Sequence, residues 1–156
     1  MAGLAIRSTS VSVVVLHLDG ATPETLLLKR NETLVGEWCQ VAGGIEAGET
    51  AVDAAKRELL EETGLRPARF FSADFCENFY DAERDELVFI PVFVAFVRER
   101  DVALNPEHSD FCWMDLTEAI EAVPFAGQRA MLRHINAEFV ERQPDTRLEI
   151  KDPTQG

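Results

Sequence analysis

From Val11 to Leu18 the side chains are mostly apolar and half are β-branched, the pattern of a buried strand. Asp19 to Glu24, with Gly20 and Pro23, reads as a turn, and Leu26 to Arg30 as a second strand that ends in two cations. Trp38 to Val41 is a short third strand. Phe70 to Phe79 and Leu87 to Val97 are apolar or aromatic enough for two longer ones, parted by the charged turn Asp81 to Asp85. Phe111 to Met114 predicts a short strand and Leu116 to Val123 a short helix opened by Thr117. Between Gln128 and Arg142 the apolar residues Met131, Leu132, Ile135, Phe139 and Val140 recur at helical spacing. From Pro144 onward the chain is polar and reads as a loosely attached tail, in which Leu148 to Ile150 offers one more short strand. Strands and helices interleave around one core, so the expected class is α/β, with one domain over residues 1–143 and a polar tail over 144–156.

One more helix departs from ordinary folding logic. Thr50 is placed to cap it, Asp53 completes a capping-box pattern, and Gly64 stands where a left-handed C-terminal cap belongs. Its last turns carry Arg57-Glu58-Leu59-Leu60-Glu61-Glu62. A helix C-terminus disfavours anions because the macrodipole leaves partial negative charge there. Glu58 faces both Glu61 and Glu62 at i+3 and i+4, and two carboxylates about 6 Å apart repel by roughly 3 kcal/mol at an effective dielectric near 20. Arg57 offsets part of this. A hard divalent cation such as Mg²⁺ would offset the remainder. Ahead of the helix, Gly43, Gly44 and Gly48 bracket an irregular stretch ending in Glu49, and glycine there permits close backbone approach to a ligand.

Composition narrows the reading. The 156 residues carry a net charge of -13, which argues against a long nucleic acid as partner but not against a small phosphorylated one held through a metal ion. The three cysteines, Cys39, Cys76 and Cys112, lack metal-ligand spacing and are expected as reduced, mostly buried thiols of a cytoplasmic protein. The start MAGLAIRSTS lacks a signal-peptide pattern, and no apolar run is long enough to span a bilayer, so no membrane association is expected. No apolar stripe is left unassigned, so the pattern specifies no oligomeric state.

The spacing Gly43, five residues, Glu49, seven residues, Arg57-Glu58-Leu59-x-Glu61-Glu62-x-Gly64-Leu65 resembles an unbroken Nudix box. Nine constrained positions in register would arise by chance about once in ten million starting points, which sets aside a merely solvated acidic helix face. The resemblance covers about Ser8 to Val140. It implies a Nudix-type α/β/α sandwich with a mixed central sheet, and Mg²⁺-dependent (or Mn²⁺-dependent) hydrolysis of a diphosphate linked to a further group. Carried over by residue, it implies Glu58, Glu61, Glu62 and the carbonyl of Ala42 as metal ligands, Arg57 holding the glutamates by ion pairing, and Glu49 tying loop to helix. Many members carry proline where this chain has Ala42. Glu107, in Asn105-Pro106-Glu107-His108 ahead of Trp113, matches a recurring segment of the family and is the expected base; His108 is expected to be a structural hydrogen-bonding group.

For the substrate, Lys29 and Arg30 are expected to meet phosphate oxygens, Gly43 and Gly44 to admit the ligand, and Trp38 and Phe79 to stack on a flat base, with core packing as the alternative for each aromatic. Gln128 and Arg129 face either the site or solvent. Scattered residues (Trp38-Cys39-Gln40-Val41 ahead of the box, Asn78-Phe79-Tyr80, Glu107-His108 and Trp113) are similar to the dihydroneopterin triphosphate and dATP pyrophosphohydrolases. The expected substrate is thus a nucleoside or pterin triphosphate. ADP-ribose, a dinucleoside polyphosphate, or a non-catalytic nucleotide sensor of the same fold are the alternatives.

Overall fold

The computed structural model describes residues 1–152, and the end of the expected tail, 153–156, lies outside the described residues. Eight strands among them form one mixed sheet: β1 (Ala5–Arg7), β2 (Ser10–His17), β3 (Glu24–Arg30), β4 (Trp38–Cys39), β5 (Val41–Gly44), β6 (Arg69–Asp81), β7 (Glu86–Val97) and β8 (His108–Asp115). The main path runs β1-β7-β2-β3-β4, with β5 beside β2, β6 beside β7 and β8 beside β3. The pairs β1/β7 and β2/β7 are parallel and the others antiparallel. Helix α1 (Ala51–Thr63) covers one face, and α2 (Leu116–Ala122) with α3 (Ala126–Ile135) the other.

Burial on both faces explains why the central strands read as continuous apolar runs rather than as alternation. Val11, Val13 and Val15 of β2 pack with Ala54, Ala55 and Leu59 of α1, while Val14 and Leu16 pack with Met131, Leu132 and Ile135 of α3. In β7, Phe93, Ala95 and Val97 join the first cluster and Val92, Val94 and Phe96 the second. Ser12 is buried and polar within a β2 that is otherwise apolar along its buried length until His17.

Several expectations are corrected. Strand β1 was not foreseen, because three residues are too few for a periodic signal. The segment Trp38 to Val41 is two strands: Cys39 pairs with Leu28 on β3, Val41 with Val13 on β2, and Gln40 stands between. Helix α2 is capped by Asp115, whose carboxylate accepts from the Glu118 N–H at 2.8 Å, and not by Thr117. Strand β8 begins at His108 rather than at Phe111, so the loop residue Glu107 stands directly before its first position. Helix α3 starts at Ala126, ahead of Gln128, and after Ile135 the chain widens into a π-helical turn, Asn136–Val140. Among the cysteines Cys39 is buried, Cys112 half-buried and Cys76 exposed.

The tail is docked through residue 152. A 3-10 turn (Thr146–Leu148) leads to a single bridge between Glu149 and Phe71 in place of a strand, and the Ile150 N–H donates to Phe70 O at 2.8 Å. Arg69 grips Glu149 at 2.8 Å, Lys56 reaches Asp152 at 2.8 Å, and Ile150 packs against the α1-side core. Exposed ion pairs contribute little, so the apolar burial of Ile150 and Leu148 dominates. Deleting residues 145–156 is expected to lower the unfolding free energy by about 1–3 kcal/mol in a urea titration. An unchanged midpoint would show a tail that is not docked.

Candidate functional site

Helix α1 is built to deliver its C-terminal half to one place. Thr50 Oγ1 accepts from the Asp53 N–H at 3.1 Å, and Asp53 accepts from the Thr50 N–H at 3.3 Å, a full capping box. At the other end Gly64 adopts φ of 73° and returns its N–H to Leu60 O at 2.8 Å. Ala54, Ala55 and Leu59 anchor the buried face, which leaves Arg57, Glu58, Glu61 and Glu62 around the rim of the sheet.

Arg57 is the hub of that rim. Its guanidinium donates to both Glu49 oxygens (2.8 and 2.9 Å), to Glu58 (2.9 Å), to Glu61 (3.1 Å) and to the Gly44 carbonyl (2.8 Å). One cation thereby ties the glycine loop, Glu49 and two helix glutamates into one unit. Glu49 is held below the usual carboxylate range, first by the Arg57 hydrogen bonds and then by the Glu46 N–H, which it accepts at 2.8 Å. Gly43 is required for a steric reason: a Cβ there would fall inside the Glu58 carboxylate. Gly48 supplies the left-handed turn, with φ of 84°.

Glu62 differs from the other acids. It is 1% exposed, and its recorded hydrogen bond is a long one, 3.4 Å from the Ala42 N–H. Proline at position 42 would remove that donor, which gives the alanine here a structural reason. Burial first, and then the Glu58 carboxylate, push the Glu62 carboxyl up to about 8; Glu107 pushes in the same direction. Glu58 is also raised, chiefly by burial, with Arg57 opposing. This arrangement fits a divalent cation: one buried carboxylate, Glu62, meets only a long protein donor, and the exposed Glu107 comes near it from the adjoining loop. Oxygen or nitrogen atoms of Glu62, Glu107 and His108 lie within 4.8 Å of one another.

These groups line a cleft of about 220 Å³ formed by Arg30, Glu32, Thr33, Cys39, Gln40, Ala42, Glu62, Glu107 and His108. The Asn31 N–H donates to Glu107 O at 2.9 Å and Asn31 Nδ2 to Pro106 O at 3.1 Å, so the β3 end holds the loop that carries Glu107. Arg30 spends two donors on Thr33 and keeps others for the cleft. Burial lowers the His108 imidazole below its ordinary value; Nδ1 faces Asn105 Oδ1 at 3.2 Å and Nε2 lies 3.9 Å from Cys39 Sγ. The Cys39 thiol is pushed up to about 11 by burial, which rules it out as a thiolate nucleophile at neutral pH.

Of the residues expected from sequence, Arg30, Ala42, Glu62 and Glu107 meet in the cleft, while Arg57, Glu58, Glu49, Gly43 and Gly44 contact one another and are not among its lining residues. Glu61 is exposed and tied to Arg57. Lys29 stands over the Trp38 ring at 5.8 Å, and neither lines the cleft. Phe79 is half-exposed on β6 opposite Val88, near the hairpin end and away from the cleft-lining residues. Glu32, Thr33, Cys39 and Gln40 were missed. Gln40 alone carried a signal, a polar residue inside an apolar strand pattern.

A family profile described as the NUDIX domain matches residues 7–143. An octanoyltransferase of Myxococcus xanthus is 36% identical over 131 residues, which are 82% of this chain; the chain spans only 36% of that relative's length. The asymmetrical bis(5'-nucleosyl)-tetraphosphatase of Rattus norvegicus is 27% identical over 137 residues, 83% of this chain and 92% of that protein. The nucleoside triphosphatase NudI of Escherichia fergusonii is 26% identical over 117 residues, 70% of this chain and 83% of that protein.

Two outcomes are expected from this electrostatic design. Glu62 holds a proton in the native state that the unfolded chain, with an ordinary value of 4.5, releases earlier. Without metal, stability is therefore greatest below about pH 4.5 as far as this group is concerned and falls as pH rises to about 8. At about 1.4 kcal/mol per pH unit the loss amounts to roughly 5 kcal/mol across that window. Thermal melts in chelator should show this decline, millimolar Mg²⁺ should reverse it, and Glu62→Gln should flatten it; a pH-independent wild-type Tm in chelator would contradict the unmet charge. Separately, Gly43→Ala should displace Glu58 and abolish Mg²⁺-dependent stabilisation while the fold persists, as read by circular dichroism and the same melts.

Proposed function

The chain belongs to the NUDIX domain family, and from that premise we propose that it is a metal-dependent hydrolase that cleaves a phosphoric anhydride bond in a nucleotide, with a nucleoside triphosphate the favoured substrate and pyrophosphate the product. The observation that carries the proposal is the buried Glu62 carboxylate, short of donors, in a cleft it shares with Glu107 and Arg30. Glu58, Glu62 and the Ala42 carbonyl would hold the cation, with Glu61 as a further contact from the rim. When bound, a divalent ion supplies charge neutralisation at the phosphoryl oxygens and lowers the pKa of water.

The chain's own groups do the remaining work. Arg57 keeps Glu58 at the Gly43 position and so fixes the donor set before substrate arrives. Glu107 accepts the proton of the attacking water; the water oxygen forms a bond to phosphorus, the anhydride P–O bond breaks, and its electron pair leaves on the phosphate oxygen. The free N–H donors of Arg30 meet phosphoryl oxygens at the β3 end of the cleft. Positioning and electrostatics carry the rate, because the protein forms no covalent intermediate.

The NudI relative supports a nucleoside triphosphate, and the rat relative supports a dinucleoside polyphosphate as the alternative. A screen with Mg²⁺ and Mn²⁺ over nucleoside triphosphates, dihydroneopterin triphosphate, ADP-ribose and dinucleoside polyphosphates separates them by product analysis. Glu62→Gln is expected to lower kcat by about 10²-fold or more on whichever substrate turns over. Turnover unchanged in both Glu58→Gln and Glu62→Gln would reject the ligand assignment. Tight nucleotide binding without cleavage of any of these compounds would mark a sensor.

A further inference from the structure

Four polar side chains form a hydrogen-bonded relay on the α3 side of the sheet that meets the cleft at Gln40, and the proposed hydrolysis uses none of them. Gln128 Nε2 of α3 donates to Gln40 Oε1 at 3.1 Å; Gln40 Nε2 donates to Ser12 Oγ at 3.1 Å and to Glu77 Oε1 at 3.2 Å; Ser12 Oγ donates to Glu77 Oε1 at 2.8 Å. Gln128 Oε1 in turn accepts the Phe125 N–H at 3.2 Å. Both ends of this relay are of one kind only: a backbone N–H is a donor and a carboxylate an acceptor. Neither amide can flip without breaking a bond, so the direction of every hydrogen bond is set.

Ser12, Gln40 and Gln128 are buried, and a polar network of this sort has a desolvation cost that its internal bonds only offset. A well-packed apolar set would serve folding as well. What the relay leaves unused indicates its purpose. Glu77 Oε2 takes no hydrogen bond among the described residues, and no side-chain oxygen or nitrogen there is both buried and unpartnered, so this oxygen opens to solvent. Gln40 Oε1 retains a second lone pair, and Gln40 itself lines the cleft. The spare capacity is therefore a pair of acceptors. Gln40 lies two residues before Ala42, about 7 Å of extended chain from the Glu62 donor. That distance suits a base attached to a polyphosphate whose anhydride sits at Glu62.

Resting on the nucleotide reading above, we propose that Glu77, held by Ser12 and Gln40, is the specificity-determining residue of the cleft and selects bases that carry an exocyclic amine. The amine donates to Glu77 Oε2, and Gln40 Oε1 accepts a neighbouring N–H where the base has one. A deaminated base presents a carbonyl or a bare carbon at the same place and leaves the carboxylate without a partner. Sites built to hydrogen-bond a substrate group reject analogues that lack it, because the site's own polar atoms are then stranded.

The test measures ratios within matched pairs: CTP with UTP, ATP with ITP, and GTP with ITP. Dissociation constants are taken by calorimetry with the α,β-methylene analogues and Mg²⁺, and kcat/KM is measured on the triphosphates, for wild type and Glu77→Gln. The wild type should favour the amine-bearing member of at least one pair by about tenfold or more, in binding as in turnover. Glu77→Gln, at unchanged Tm, should bring that ratio to within about threefold of unity, with the loss falling on the amine-bearing member. Retention of the ratio in Glu77→Gln, or a wild type that discriminates within no pair, overturns the proposal. A wild type that shows the binding preference but hydrolyses none of the triphosphates supports base selection and rejects the hydrolase reading alone.

Discussion

The guanidinium of Arg57 stands between the Glu49 end of the glycine loop and the glutamates of α1, which would otherwise push apart. It binds Glu49 through two oxygens, reaches Glu58 and Glu61 one and four residues along the helix, and takes the Gly44 carbonyl as well. Because the guanidinium is planar with its donors in a fixed fork, these partners are held in one geometry rather than an ensemble of ion pairs. The burial of Glu62 depends on it. With the neighbouring acids fixed outward to Arg57, Glu62 is the carboxylate left to face the cleft and Ala42. The same contact determines how closely the loop approaches the helix, and hence that position 43 has room for no side chain.

The sheet supplies the rest of the positioning. Its central strands are buried on both faces, which leaves them little freedom to shift register, since a one-residue slip would drive Ser12 into the α1 core and Val11 or Val13 into the polar relay. The division of Trp38 to Gly44 between β4 and β5 follows from this rigidity. Cys39 stays in register with Leu28 and Val41 with Val13, so Gln40, at the switch between neighbours, is free to reach Ser12, Glu77 and Gln128. Glu62 enters the cleft from α1, Glu107 from the loop before β8, and the relay meets it at Gln40.

Local rules made α1 legible down to single residues. Its N-cap at Thr50, the left-handed Gly64 and the excess of acids in its last turns all depend on spacings of four residues or fewer, which sequence states directly. The two long strands β6 and β7 were legible for a similar reason, being apolar segments on either side of a charged turn. Boundaries that depend on a distant partner were not. β1 exists because β7 offers an edge, and the tail docks because Phe70, Phe71 and Arg69 receive Ile150 and Glu149. Nothing in a three-residue strand or a polar terminus announces such a partner.

The candidate site divides in the same way. Four charged residues of one helix sharing a face, their unfavourable charge there and the glycine loop ahead of them could all be read from the chain, since helical geometry makes each a statement about neighbours. Long-range packing settles that Glu62, and not Glu61, is the buried acid, that Glu107 comes within reach of it from a loop 45 residues away, and that Lys29 and Trp38 pair with each other beyond the lining residues. It also assembles Ser12, Gln40, Glu77 and Gln128, which come from two strands, the β4–β5 junction and a helix. Their separations in sequence exceed any local periodicity, so their meeting is set by strand register and by which face of the sheet each residue occupies.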